Sequence, residues 1–383
     1  MNSINWHTVW LKDHGVGEFT QVISHPFFIQ IFCYTTHMSD TVLYRKYRPQ
    51  KFSEVLGQEH IIKVLESSID LGHISHAYIF SGSRGTGKTS VARILAHEIG
   101  TSANDIYEID AASNTGVDNI RELNESVNTL PFESKYKVYI LDEAHMLSKG
   151  AWNALLKTLE EPPQHVIFVL ATTEYEKIPD TVISRCQTFS FKKPTQKVLK
   201  EVVTVIAKKE GFTLEPASAD LIAMLGDGSF RDAQNILQKI IGASKDKKIS
   251  VAEVALVTGA PRSEMINDFI QAIGENNLEL GLKSISQAEE ANIDLLLYFK
   301  LVLHKMRAIL LLRNLKSADE KIKEEMTDSD FVFLKNLADK KTSKINSDTL
   351  LTLLSYYDLV AKAYLPEMVL ELALSKILGQ NVV

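Results

Sequence analysis

Three observations predict an α/β chain with a parallel sheet, followed by two helical regions. Short apolar runs alternate with helix-period segments from Met38 to about Phe191. A glycine-dense turn joins the first of these runs to a helix. Beyond Phe191 the strand signals fade and helical periodicity continues alone. Strand and helix in strict alternation read as parallel strands wrapped by their crossover helices.

The elements follow in order. Tyr78-Ile79-Phe80 reads as a short buried strand, and Ser81 to Gly87 as the turn after it. Thr89 to Ile99 reads as a helix with Val91, Ile94, Leu95 and Ile99 on one face. Asp105 to Ile109 is expected to be a second strand, Val117 to Leu130 a helix and Val138 to Leu141 a third strand. Ser148 can cap a helix that runs through Leu159, with Trp152, Leu155, Leu156 and Leu159 inward. Pro162-Pro163 must stop it, because proline lacks the amide donor and clashes with the preceding turn. Val166 to Ala171 is a fourth strand. Residues 195–244 read as helices only, punctuated by Gly211, Gly226 and Gly228, and Lys245 to Lys248 as a charged linker. From Val251 onward the pattern is helical, with apolar stripes at Leu295 to Leu312 and Leu350 to Tyr364.

The expected domains are 38–194 (α/β), 195–247 (a small helical lid) and 248–383 (a larger all-α region). Residues 1–37, rich in aromatics and His, are expected to be an extension outside the fold, with Met38 as the true start. A small docking segment is the alternative.

Composition narrows the function. The 45% apolar and 23% charged shares are those of an ordinary globular protein. A net charge of −6 argues against a chain coated in basic residues, so any nucleic-acid contact is a local patch. The two cysteines, Cys33 and Cys186, can build neither a disulfide framework nor a four-cysteine zinc site. No run approaches the roughly 18–20 apolar residues of a membrane span, and a cytoplasmic setting is expected. Cys186 reads as a small buried residue and Trp152 as core.

Gly82-Ser83-Arg84-Gly85-Thr86-Gly87-Lys88-Thr89 fits G-x-x-x-x-G-K-[ST] without a mismatch, with a strand before it and a helix after it. Such a loop turns its backbone amides onto phosphate oxygens, and the helix adds the positive end of its dipole. Lys88 would reach the β- and γ-phosphates, and Thr89 would put its hydroxyl on Mg²⁺. Val138-Tyr139-Ile140-Leu141-Asp142-Glu143 supplies two carboxylates at the carboxyl end of a buried strand, where open α/β sheets bind ligands. Asp142 can hold Mg²⁺, and Glu143 can polarise a water for attack on the γ-phosphate. The ligand is therefore read as a nucleoside triphosphate, and the chemistry as its hydrolysis.

Further segments carry a resemblance. Leu170-Ala-Thr-Thr173, Ser184-Arg185-Cys186 and Gly228-Ser-Phe-Arg231-Asp-Ala together resemble the AAA+ ATPases, and within them the clamp loaders. Tyr44-Arg-Lys-Tyr-Arg48-Pro-Gln-Lys-Phe with Val55-Leu56-Gly57-Gln58 looks like the clamp-loader opening. Glu108-Ile-Asp-Ala-Ala-Ser-Asn114 and Leu155-Leu-Lys-Thr-Leu-Glu-Glu-Pro-Pro163 are similar to the gamma/tau family of bacterial DNA polymerase III. The resemblance spans about Val42 to Ala233; beyond it, the helical region looks like the family's oligomerising collar.

The resemblance implies that ATP is the nucleotide and that Tyr44, Arg48, Val55 and Leu56 line the adenine region. It implies that Thr173, rather than Thr172, senses the γ-phosphate. Arg185 would be an arginine finger acting on ATP in a neighbouring subunit, and Arg231 would contact phosphate within its own chain. It implies partners: a sliding clamp, delta and delta-prime subunits, copies of this chain in a pentameric ring, and primer–template DNA held through phosphates. No membrane partner is expected. Arg121, Lys149 and Lys157 are candidates for DNA contact.

Two departures stand out. The family's four-cysteine zinc module is missing, since Ala96 runs through His97 to Asp105 straight into the next strand, so no zinc is expected. The chain ends at Val383 and is expected to be the short, gamma-like form. The rival readings are a branch-migration or recombination AAA+ motor and a non-hydrolysing structural loader subunit. The intact Lys88, Thr89, Asp142 and Glu143 count against the second. No polymerase carboxylate constellation is identified, so synthesis would belong to partners.

Overall fold

The computed structural model describes residues 42–379, apart from 245, 316, 317, 327 and 341–343, together with a strand pair near the start. That pair is β1 (Ser24–His25) and β2 (Phe28–Ile29), antiparallel. The expectation for residues 1–37 otherwise lies outside the described residues.

A short helix, α1 (Leu43–Lys46), opens the body of the chain, and α2 (Glu59–Asp70) follows. The sheet is then built from β3 (Ala77–Ser81), β4 (Ile106–Asp110), β5 (Lys137–Asp142), β6 (Val166–Thr172) and β7 (Gln187–Ser190). All pairings are parallel, in the order β4-β5-β6-β3-β7. The crossovers are α3 (Lys88–Glu98), α4 (Val117–Val127), α5 (Lys149–Glu160) and the short α6 (Asp180–Ile183).

The α/β class follows from strands buried on both faces. Along β3, β5 and β6 successive side chains enter opposite layers. Ile79, Tyr139, Leu141, Phe168 and Leu170 pack with α4 and α5, while Tyr78, Phe80, Val138, Ile140, Ile167 and Val169 pack with α2 and α3. Trp152 belongs to the first layer and is buried. The Ser148 hydroxyl caps α5 by accepting from the Ala151 amide at 3.2 Å, and the helix stops at Glu160, before the paired prolines.

Three sequence expectations need correction. The strand after α3 begins at Ile106 rather than Asp105, because the Asp105 carboxylate is occupied with other backbone amides. A fifth strand, β7, had no apolar signature: three of its four side chains are exposed and only Phe189 is buried. The segment 195–244 is not purely helical. After α7 (Gln196–Lys209), β8 (Thr213–Leu214) pairs in parallel with β9 (Lys248–Ile249), which takes up the end of the expected linker.

A further apolar core gathers α7, α8 (Pro216–Leu225) and α9 (Phe230–Ala243), within the segment expected to be a lid, together with α10 (Val251–Thr258). Leu43 from α1 is buried in the same cluster. The Leu43 amide donates to Gln238 Oε1 at 2.9 Å, and Tyr47 donates to Glu210 Oε1 at 2.6 Å, so the opening segment is fastened to the lid. A separate apolar core is formed by α11 (Ser263–Glu275), α12 (Leu278–Glu290), α13 (Leu295–Asn314), α14 (Ala318–Glu325), α15 (Asp328–Asp339), α16 (Ser347–Lys362) and α17 (Pro366–Leu378). Inside it, Lys305 and Asp330 form a buried pair at 2.8 Å, with Ser263 and Asn267 completing the polar shell. No helix of the described residues is long and apolar enough to cross a membrane.

Candidate functional site

The turn from β3 into α3 sits at the carboxyl ends of the strands, flanked by β6 and β7. It forms the floor of a cavity. Tyr44, Arg48, Val55 and Leu56 line one part, with Tyr47 and Glu54. Arg84, Gly85, Thr86, Gly87, Lys88 and Thr89 line the floor, Asp142 and Glu143 the far edge, and Val202, Phe230, Arg231 and Gln234 the lid side. Most residues singled out in the sequence are thus brought together.

Gly82 and Ser83 stand beneath the cavity instead of on its wall. Their carbonyls accept from Lys88 Nζ at 2.7 and 3.0 Å, which folds the ammonium over the loop. Burial holds the Lys88 pKa below its ordinary value, an effect that the carboxylates of Glu143 and Asp142 only partly offset. Gly82 must lack a side chain, since a Cβ would lie 2.6 Å from the Phe191 carbonyl oxygen.

Gly85 is constrained twice. Its φ is +74°, and a Cβ there would lie 2.0 Å from Ser229 Oγ. That close approach lets the Phe230 amide donate to the Gly85 carbonyl at 2.9 Å, so the loop and the lid are bonded directly. Ser229 also caps α9, accepting from the Asp232 amide at 3.2 Å. The next residues of that helix therefore start at the cavity: Arg231 carries its guanidinium 5.4 Å from the Tyr44 ring centroid.

Thr89 Oγ1 donates to Asp142 Oδ2 at 2.9 Å. The hydroxyl and carboxylate expected to hold Mg²⁺ thus converge from two different elements. Glu143 adopts φ +50°, a left-handed conformation costing roughly 1–3 kcal/mol for a residue with a side chain. Thr173 Oγ1 donates to Glu143 Oε2 at 3.1 Å. Thr172 points elsewhere: its hydroxyl lies 3.1 Å from His145 Nδ1 and accepts from the Glu174 amide at 3.0 Å. His145 is a neighbour that sequence reasoning did not single out. Its ring is buried, 3.6 Å from Glu143 Oε2 and 3.2 Å from Glu174 Oε1.

The residues fit a magnesium nucleoside triphosphate. The amides of Gly85 and Gly87 have no carbonyl partner among the described residues. Arg48, Arg84, Lys88 and Arg231 bring four cations to one cavity. Burial, then the neighbouring Arg93 guanidinium, pull the Arg48 pKa down, yet a guanidinium keeps its charge.

Arg185 is half-buried away from this wall. It donates to Glu160 Oε1 at 2.6 Å and to the Thr181 carbonyl at 2.5 Å. Cys186 packs against the α4–α5 layer, and burial pushes its thiol up to about 12, so it is neutral and unreactive at ordinary pH. Arg121, Lys149 and Lys157 are exposed on α4 and α5, with Arg121 paired to Asp118 at 2.8 Å. Among the described residues no group of three or more His, Cys, Asp or Glu side chains is arranged to hold a metal ion.

Comparison with known proteins gives a consistent set. Residues 99–195 match the family model described as DNA polymerase III, delta subunit. The chain is 44% identical over 271 residues to the DNA polymerase III subunit tau of Bacillus subtilis, covering 65% of this chain and 48% of that one. It is 40% identical to the corresponding Escherichia coli tau subunit, covering 67% and 43%. With the DNA polymerase III subunit gamma of Buchnera aphidicola it shares 36% identity, covering 76% of this chain and 84% of that one. The chain thus spans less than half the length of the tau relatives and most of the gamma relative. Among solved structures, the Holliday junction branch migration motor RuvB of Thermotoga maritima aligns at 23% identity with a TM-score of 0.48, covering 61% of this chain and 80% of that one.

Proposed function

The chain belongs to the DNA polymerase III gamma/tau family, and from that premise we propose that it is an ATP-driven motor subunit of the clamp loader, opening a sliding clamp and placing it on primed DNA. The observation that supports this reading is the Thr89–Asp142 hydrogen bond beside Lys88, a hydroxyl–carboxylate pair suited to a divalent cation next to a phosphate loop.

Mg²⁺ held by Thr89 and Asp142 would neutralise charge on the phosphate oxygens. Lys88 leaves the Gly82 and Ser83 carbonyls for the phosphate chain. Glu143, aimed by its left-handed backbone and held by Thr173, orients the attacking water and draws its proton. Thr173 is thereby placed to link the γ-phosphate position to the base. Arg231 offsets phosphate charge from the lid of the same chain. Arg185, away from its own cavity, serves the ATP of a neighbouring subunit, so hydrolysis requires assembly. Tyr44, Arg48, Val55 and Leu56 enclose the base.

The proposed partners are the sliding clamp, the delta and delta-prime subunits, copies of this chain in a pentameric ring, and primer–template DNA bound through phosphates. Segments 38–194, 195–247 and 248–383 would be the motor, lid and collar. DNA synthesis itself belongs to other subunits of the polymerase. The curated relatives named above favour this reading over a branch-migration role.

The test is steady-state ATPase of the chain with sliding clamp and companion loader subunits, with and without primed DNA. Strong stimulation by clamp and primed DNA, abolished by Lys88→Ala, is the expected result. ATP hydrolysis indifferent to clamp and DNA would move the function to another role.

A further inference from the structure

Gln234 is a polar group on the cavity wall that the phosphate chemistry leaves unused. Gln234 lies on α9, three residues beyond Arg231 and four beyond Phe230, so the three share a helix face, and all three border the cavity. Gln234 is 7% exposed, and its Oε1 is buried without a hydrogen-bond partner among the described residues. Native interiors rarely keep such an oxygen unpaired, because desolvation without a replacement bond is costly. Nearby lid residues cannot supply the donor through their side chains: Val202 and Phe230 are apolar, and the Arg231 guanidinium is turned to the Tyr44 ring.

A nucleotide offers few donors to complete it. The phosphates only accept. The remaining donors are the sugar hydroxyls and the exocyclic amine of the base. An adenine edge sets an amine donor beside a ring-nitrogen acceptor, and a carboxamide complements both. The terminal amide torsion is broad and two-fold, so turning the carboxamide about it can present either atom to the cavity. We infer that Gln234 reads the base of the bound nucleotide, its carboxamide oxygen accepting from the 6-amino group of adenine. This rests on the nucleoside triphosphate reading of the cavity.

The experiment measures equilibrium binding of ATP, of purine riboside triphosphate (which lacks the 6-amino group) and of 2′-deoxy-ATP. Wild type, Gln234→Leu and Gln234→Met are compared, each checked for folding by its thermal transition. Loss of the 6-amino group is expected to weaken wild-type binding about threefold to tenfold, the scale of one hydrogen bond. Both variants are expected to bind ATP more weakly by a similar factor and to treat ATP and purine riboside triphosphate alike. The penalty for 2′-deoxy-ATP should stay the same in all three proteins. The inference is overturned if the variants keep the full preference for the 6-amino group, or if they lose a preference for the 2′-hydroxyl instead. If wild type binds none of the three nucleotides, the triphosphate reading falls, and this inference with it.

Discussion

At the scale of single residues, the site depends on side chains held by specific partners. Glu143 stays in a left-handed conformation with Thr173 donating to it. Glu143→Gln should keep ATP binding and lower turnover by roughly 10²–10⁴, the usual worth of a positioned base; paired binding and single-turnover measurements check this. Gly85→Ala meets both an unfavourable φ and the Ser229 hydroxyl. It should lower the thermal transition and weaken nucleotide binding, and adding Ser229→Gly should restore part of the loss by removing the clash. A Gly85→Ala protein as stable as wild type would contradict the close approach. Much of this was legible in the sequence: the phosphate loop and the Asp142-Glu143 pair stand out by residue type and position. The resemblance already preferred Thr173 to Thr172; what the sequence did not show is that one hydroxyl faces Glu143 and the other faces His145. Gln234 gave no signal, because its role depends on a missing partner that no sequence pattern displays.

At the scale of elements, the strands that were legible are those buried on both faces. β3, β5 and β6 read as unbroken apolar runs, whereas β7 hides because only Phe189 faces inward. The boundary of β4 was misread by one residue because Asp105, which abuts the apolar run, behaves as a clamp. Its carboxylate accepts from the amides of Phe132, Glu133 and Ser134 at 2.6–2.9 Å, tying the loop before β5 to the turn before β4. Burial opposes its charge, but those amides prevail and hold its pKa below the ordinary carboxylate value. An unfolded chain therefore takes up this proton at higher pH than the folded one. The stability from Asp105 is fully present above about pH 4 and is lost as pH falls through the depressed native value. Asp105→Asn replaces one acceptor oxygen with a donor facing amides. It should cost on the order of 2–4 kcal/mol at neutral pH and flatten the acid limb, as denaturant titrations across pH would show.

At the scale of the whole molecule, the proposed function divides catalysis between chains. Arg185→Ala should leave ATP affinity of the isolated chain unchanged and reduce hydrolysis in the assembled loader by about 10³-fold or more, the usual effect of a missing arginine finger. The same guanidinium is engaged by Glu160 within its own chain. A solvent-accessible pair of this kind is worth about 0.2–1 kcal/mol, so Glu160→Ala should shift the assembled rate only a few-fold. Stopped-flow phosphate release would measure both. The Ser-Arg-Cys tripeptide marked Arg185, but nothing in the linear pattern marked its hold on Glu160, because ion pairs between distant segments leave no period to read. One contact also sets a rule for engineering. Ser229 fills the space that a side chain on Gly85 would need, and the next amide, of Phe230, bonds the Gly85 carbonyl. The glycine-rich loop and the start of α9 are therefore not interchangeable parts. A graft that took the nucleotide loop from one relative and the lid from another would succeed only if glycine and a matching small residue travelled together.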